Sequence, residues 1–177
     1  MKKATPNCRG FTLIEILSYV AVLTIIVLAV SSFLLWATRL NVKTRAVRET
    51  LDNARRAMEI ITGEIKEAES IYTPTSVFGS NPGQLSLETK KYLPAGETDS
   101  YVDFYVCDDK LCRKEEGQNP VALTSDRVRV SNLVFNYIAT TSTSPSVQIN
   151  LKLDYNFPTE KPEYQASINI TSTASLR

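Results

Sequence analysis

The chain has 177 residues, 43% of them hydrophobic and 22% charged, with 20 Lys and Arg against 19 Asp and Glu. That length holds one modest domain, or a small domain with an appendage. A formal charge of +1 makes no general case for nucleic-acid binding, the lack of histidine removes the commonest neutral-pH proton shuttle and most zinc sites, and three cysteines are too few for a disulfide-rich scaffold.

The chain opens on Met1–Gly10, in which Lys2, Lys3 and Arg9 are positive and no residue is acidic. Such a leader suits the cytoplasmic face of a membrane. From Ile16 to Trp36 there is no charged residue, proline or glycine. As a helix this run spans about 31 Å, the hydrocarbon thickness of a bilayer. A membrane segment is expected, with the remainder outside the cell membrane. Arg39, Lys43, Arg45 and Arg48, offset by Glu49, oppose that orientation in a simple count of local positives. An ordinary signal cleavage site around Ala29, Ser31 and Ser32 is opposed by the apolar residues continuing through Phe33–Trp36. Glu15 is the unusual feature: a carboxylate entering lipid needs a cationic partner or a place among the headgroups.

Gly10-Phe11-Thr12-Leu13-Ile14-Glu15, followed by the long apolar run, resembles the amino-terminal signature of type IV pilins and pseudopilins. The resemblance implies that a prepilin peptidase cuts between Gly10 and Phe11 at the cytoplasmic face. It implies methylation of the new amino group on Phe11, retention of the apolar segment, and a Glu15 carboxylate that meets a neighbouring subunit's amino terminus during assembly. A close cation is what would recover such a carboxylate's lost hydration. Where many major pilins carry a proline midway along this helix, this chain has Ser31 and Ser32. The partners implied are the prepilin peptidase, other pilin or pseudopilin subunits, an inner-membrane assembly platform and the lipid bilayer. Cys8 and three of the basic residues would leave with the leader, giving an even number of cysteines and a slightly acidic product.

After Trp36 the pattern becomes amphipathic. Val47, Leu51, Ala54, Met58, Ile61, Ile65, Ala68 and Tyr72 recur every three or four residues, with charged residues on the other surfaces. A single helix from Phe11 to Tyr72, stopped by Thr73-Pro74, would be about 93 Å long. Gly63 weakens it by about 1 kcal/mol relative to alanine without ending it. A coiled coil is the alternative use of such a stripe. Packing on a sheet suits Ala54 and Ala68 better.

From Leu85 the period shortens to two. Strands are expected over Leu85–Lys91, Tyr101–Cys107, Lys110–Lys114, Val128–Ile138, Val147–Tyr155 and Tyr164–Thr171. Val147, Ile149, Leu151, Leu153 and Tyr155 share one face, and Tyr164, Ala166, Ile168 and Ile170 repeat the pattern. A change of phase between Val130 and Leu133 calls for a bulge near Ser131-Asn132. Thr140–Ser146 reads as a Thr/Ser/Pro-rich loop. Cys107-Asp108-Asp109-Lys110-Leu111-Cys112 reads as a tight hairpin with Asp109-Lys110 at its tip. Cys107 would then face Cys112 at disulfide distance. A free or metal-bound pair is the other reading.

The expected fold is α+β and pilin-like: a long N-terminal transmembrane helix packed on an antiparallel β-sheet domain. Its parts are a cytoplasmic leader over 1–10, a membrane and filament-core segment over 11–36, an extramembrane half of the same helix over 37–73, and a sheet domain over 74–177. The body, with Val128-Arg129-Val130-Ser131-Asn132-Leu133-Val134-Phe135 preceded by the cysteine hairpin, resembles PilW-like and general-secretion J-type minor subunits. That resemblance implies a place in a tip complex that starts filament assembly.

No phosphate-binding glycine loop, metalloprotease helix or Ser/Lys catalytic arrangement is present, so neither enzyme activity nor a cofactor is expected. Asp108 and Asp109 could touch a cation, though adjacent acids at a hairpin tip normally face solvent. Direct nucleic-acid binding is not expected, because the basic cluster adjoins the membrane. The function so read is a minor subunit of a type IV pilus or related filament. The alternatives are a minor pseudopilin of type II secretion or competence DNA uptake, and a membrane-anchored binding domain outside any filament.

Overall fold

The computed structural model describes residues 11–91, 93, 95–140, 143–157 and 164–177. The chain divides into two compact units, Met1–Asn41 and Val42–Arg177. Helix α1 runs Leu13–Glu67, and eight strands follow: β1 (Ser70–Ile71), β2 (Leu85–Thr89), β3 (Ser100–Cys107), β4 (Lys110–Glu115), β5 (Val121–Ala122), β6 (Val128–Thr140), β7 (Thr143–Tyr155) and β8 (Ser167–Ser175).

In the first unit every residue from Ile16 to Trp36 is exposed. This stretch of α1 is long and apolar enough to cross a membrane. Ser18 and Thr24 hide their hydroxyls by donating to the carbonyls of Ile14 and Val20, at 2.9 and 2.7 Å. Polar side chains in an apolar helix are accommodated this way.

In the second unit the rest of α1 lies against antiparallel strands, and the core is one cluster. Ala54, Ala57, Met58, Ile61, Ile65 and Ala68 from the helix segment meet Leu85, Leu87, Val102, Phe104 and Leu111 from one sheet, and Leu133, Phe135, Val147, Ile149, Leu151 and Leu153 from another. The strands form two sheets rather than one, ordered β1-β2-β3-β4-β5 and β6-β7-β8. They are stitched where the Val130 N–H donates to the Asp109 carbonyl at 2.7 Å.

Several expectations need correcting. The helix ends at Glu67, short of Tyr72. The last helical bond is Ala68 N–H to Glu64 O at 2.9 Å, after which Glu69 N–H donates to Glu88 O and the chain joins the sheet edge as β1. Ala68 and Tyr72 fit a helical stripe and an extended edge alike, so periodicity alone could not place the stop. The helix stripe also rotates at its near end: Ala46 and Thr50 are buried, while Val47 and Leu51 are half-buried. Small side chains there let the helix sit closer to the strands. The expected Thr/Ser/Pro loop is largely strand, because β7 begins at Thr143 and Ile138 pairs with Ser146. The last strand starts at Ser167 and continues to Ser175, its inward phase extending through Ala174. The bulge expected near Ser131-Asn132 is present, between Val130 and Asn132.

One loop is fixed by a glycine. Gly83 N–H donates to Leu133 O at 2.8 Å, and a Cβ there would stand 3.1 Å from that oxygen and 3.3 Å from the Phe135 nitrogen. Both atoms belong to the β6 backbone, which would have to give by a few tenths of an ångström to admit a side chain.

Candidate functional site

The first turn of α1 gathers the residues that the sequence singles out. Glu15 N–H donates to the Thr12 carbonyl at 3.1 Å and to Thr12 Oγ1 at 3.4 Å. Thr12 thus caps the helix, satisfying donors that the first turn would otherwise leave open. Thr12-Leu13-Ile14-Glu15 has the spacing of a capping box, a signal present in the sequence. The Glu15 carboxylate nevertheless turns forward, accepting a hydrogen bond from the Tyr19 hydroxyl at 3.2 Å. Tyr19 is the second residue missed, four positions on and therefore on the same helical face. Glu15 also sits where a negative charge complements the positive end of the helix dipole.

Phe11, Leu13, Ile16, Leu17 and Val20 line one open recess, and Phe11 is 72% exposed. Glu15 is half-buried and does not line that recess; its side of the turn carries Thr12 and Tyr19. Gly10 and the rest of the leader, Cys8 included, lie outside the described residues.

The cysteine hairpin is built differently from the expectation. Cys107 pairs with Lys110, Val106 with Leu111 and Tyr105 with Cys112. The tip is therefore Asp108-Asp109, whose φ angles of 47° and 60° are both left-handed. That is the two-residue turn whose twist matches the flanking strands, and Asp tolerates it better than Lys. Cys107 and Cys112 are diagonal neighbours on one face, not directly opposed, and their Cα atoms are 5.9 Å apart, at disulfide distance.

A charged cluster that no motif announced lies between helix and sheet. Arg113, on the Phe104 face of β4, donates from Nη2 to Glu64 at 3.0 Å and pairs through Nη1 with Glu115 at 2.7 Å. Its side chain is only 19% exposed and that of Glu64 12%. Alternation along β4 would assign Arg113 to the core side, and the Glu64 and Glu115 carboxylates make that tolerable. Around the sheet rim Lys91 meets Glu67 at 2.5 Å, Lys90 meets Glu69 at 2.7 Å, and Lys110 pairs with Asp126. Lys91 and Lys110 hold the Glu67 and Asp126 carboxyls below the usual carboxylate range, chiefly by hydrogen bonding and then by charge. Arg39, Lys43, Arg45 and Arg48 are all exposed.

Among the described residues no group of three or more His, Cys, Asp or Glu is placed to hold a metal ion. The Asp109 carbonyl is already committed to Val130. Of the tyrosines, Tyr72 and Tyr101 pack against each other with ring centroids 4.8 Å apart, and Phe157 stacks between Tyr155 and Tyr164 at 6.3 and 4.0 Å.

Comparison with known proteins gives one result that falls on this site. The family model described as the prokaryotic N-terminal methylation motif matches residues 5–31. Together with the long apolar helix, that match supports a type IV pilin- or pseudopilin-like family. No curated protein and no solved structure matches it. The pilin-like chain pairs a prepilin-type N-terminal anchor with an α+β domain in which helix packs on antiparallel sheet. The motif implies processing by a peptidase and assembly with other subunits.

Proposed function

We propose that this chain is a minor subunit of a type IV pilus or related filament, matured by a prepilin peptidase between Gly10 and Phe11 and methylated on the Phe11 amine. It is held in the inner membrane with its sheet domain outside until it enters the filament, where its work is assembly or initiation and no reaction is catalysed. One observation carries this reading: Glu15 stands in the first turn of a helix whose residues Ile16–Trp36 are all exposed, inside the matched methylation motif. Inside a bundle of such helices the carboxylate loses water and recovers stability only beside a cation. A new amino terminus at Phe11 on a neighbour supplies one. Lipid-facing side chains that suit a bilayer equally suit neighbouring helices, so one surface serves both storage and assembly. Cys107 and Cys112 would oxidise outside the cytoplasm, bracing the β3–β4 hairpin.

Amino-terminal mass spectrometry of membrane and sheared-filament fractions tests the cut. The expected product begins at methylated Phe11; a product beginning after Trp36, or a working chain that keeps Met1, overturns the reading. Glu15→Gln isolates the charge, because glutamine preserves the capping-box pattern and can still accept from Tyr19. Its level in the membrane should match the parent, while incorporation into filaments falls by about tenfold or more. Undiminished incorporation would remove Glu15 from the mechanism.

A further inference from the structure

The three-stranded sheet has a central strand, a covered edge and an open one. Over Leu133–Phe135 the outer side of β6 is occupied: Gly79 and Gly83 donate to the Phe135 and Leu133 carbonyls at 2.8 Å, and Leu133 N–H donates to Asn81 Oδ1 at 2.8 Å. On the other side, β8 pairs with β7 from Asp154–Ser167 to Ser146–Ser175 without a bulge. Tyr155 N–H donates to Ala166 O, and Leu176 N–H to Pro145 O. Because antiparallel pairs alternate between bonded and non-bonded, these two bonds fix the direction of every group in β8. Ile168, Ile170, Ser172 and Ala174 turn their backbone toward β7. Ser167, Asn169, Thr171, Thr173 and Ser175 turn theirs outward.

All five outward-turned residues are exposed. Among the described residues, no backbone group hydrogen-bonds to their amides or carbonyls. The strand reads Ser-Ile-Asn-Ile-Thr-Ser-Thr-Ala-Ser. It carries no charge, proline or bulge, the devices that ordinarily blunt an edge. Asn150 Oδ1 accepts from the Thr171 hydroxyl at 2.8 Å, which steadies the strand in an extended form.

We propose that the outer edge of β8 accepts an extended, uncharged segment of a different polypeptide, added as a fourth strand to this sheet. Only an extended backbone presents donors and acceptors at the spacing this edge offers, with alternate side chains meeting the Thr and Asn row. The lack of charge along β8 leaves a charged segment no compensation for its desolvation. A second copy is a poor occupant. Its own β1 and β5 are two residues each, and its β6 edge is taken over Leu133–Phe135, leaving β8 against β8. Tyr164 shares a recess with Val42 and Arg45, and Arg177 acts electrostatically on Glu67, so β8 runs in the same sense as the helix segment from Val42 to Glu67. Antiparallel pairing of two copies would therefore set their Val42 ends on opposite sides, against the side-by-side arrangement that the assembly reading above calls for. That a neighbouring chain is at hand rests on the assembly reading above; the open edge does not.

Hydrogen exchange on the full chain tests this in two samples: purified alone in nanodiscs, and isolated from native membranes with its associated proteins. The amides of Asn169, Thr171 and Thr173 are expected to exchange about tenfold or more slowly in the associated sample. Thr171→Pro should abolish that difference while Ile168, Ile170 and Ser172 stay protected, since proline is tolerated where the N–H faces away from the ladder. Thr171→Lys gives a second variant that leaves the backbone bonds to β7 untouched, losing only the side-chain bond to Asn150. Equal, fast exchange of the outward amides in both samples overturns the proposal. So does protection that already appears in the purified chain and grows with its concentration, which would mark a second copy. Either failure leaves cleavage at Gly10 and the role of Glu15 standing, because those are read at the amino terminus.

Discussion

Between Ile16 and Trp36, α1 exposes every side chain, whereas from Ala46 to Ile65 it buries Ala46, Thr50, Ala54, Ala57, Met58, Ile61 and Ile65. One helix thus meets two environments. The first stretch is apolar on all sides and satisfies its backbone internally, as lipid requires. The second shows water a charged surface and gives its apolar stripe to the strands. The difference teaches that burial within a chain is no guide to the value of an apolar residue when the missing surroundings are lipid or other helices.

The sharpest way to break this comparison is to delete the same kind of mass in each stretch. Ile61 is fully buried, so Ile61→Ala should cost the sheet domain about 2–5 kcal/mol in denaturant unfolding of the nanodisc-held chain. Leu23 is 61% exposed, and Leu23→Ala should leave that transition within about 0.5 kcal/mol of the parent. Equal losses would mean that the two stretches unfold as one. A smaller effect of opposite sign is expected at Gly63, where an added Cβ meets nothing within 4 Å. Gly63→Ala should stabilise the same transition by about 1 kcal/mol through helix propensity. The smallest effect concerns pH. Glu67 and Asp126 have carboxyls held low in the folded state by Lys91 and Lys110. Their contribution is present above the ordinary carboxylate range and is lost as pH falls through and below it. Both pairs are largely exposed, so salt should weaken the effect. Melting curves across acid pH should therefore lose part of their acid slope in a Lys91→Met, Lys110→Met chain.

The strands were legible because a half-buried strand must alternate, and Val147–Tyr155 does so without interruption. The bulge near Ser131 was legible for the same reason: a phase change between Val130 and Leu133 has few other remedies. The hairpin register was not. Without a glycine or asparagine to mark the tip, the expected Asp109-Lys110 turn was one residue off, and the Cys107–Lys110 pairing with the left-handed φ of both aspartates puts it at Asp108-Asp109. At the amino terminus the reading found Glu15 through its isolation among apolar residues. It missed Thr12 and Tyr19, whose roles are local hydrogen bonds carrying no compositional contrast.

What the sequence determined by itself is whatever depends on neighbours along the chain: the apolar span, the amphipathic stripe and the alternation of the strands. Those features follow from fixed rises and periods, which a linear string records. The tertiary structure alone decided that the strands divide into two sheets, that Arg113 reaches Glu64 beneath β4, and that Glu69 leaves the helix to meet Glu88. It also decided that β6 is covered over Leu133–Phe135 while β8 is left open. Each of these depends on which distant backbone or charge happens to stand beside a given group, and no local period encodes that.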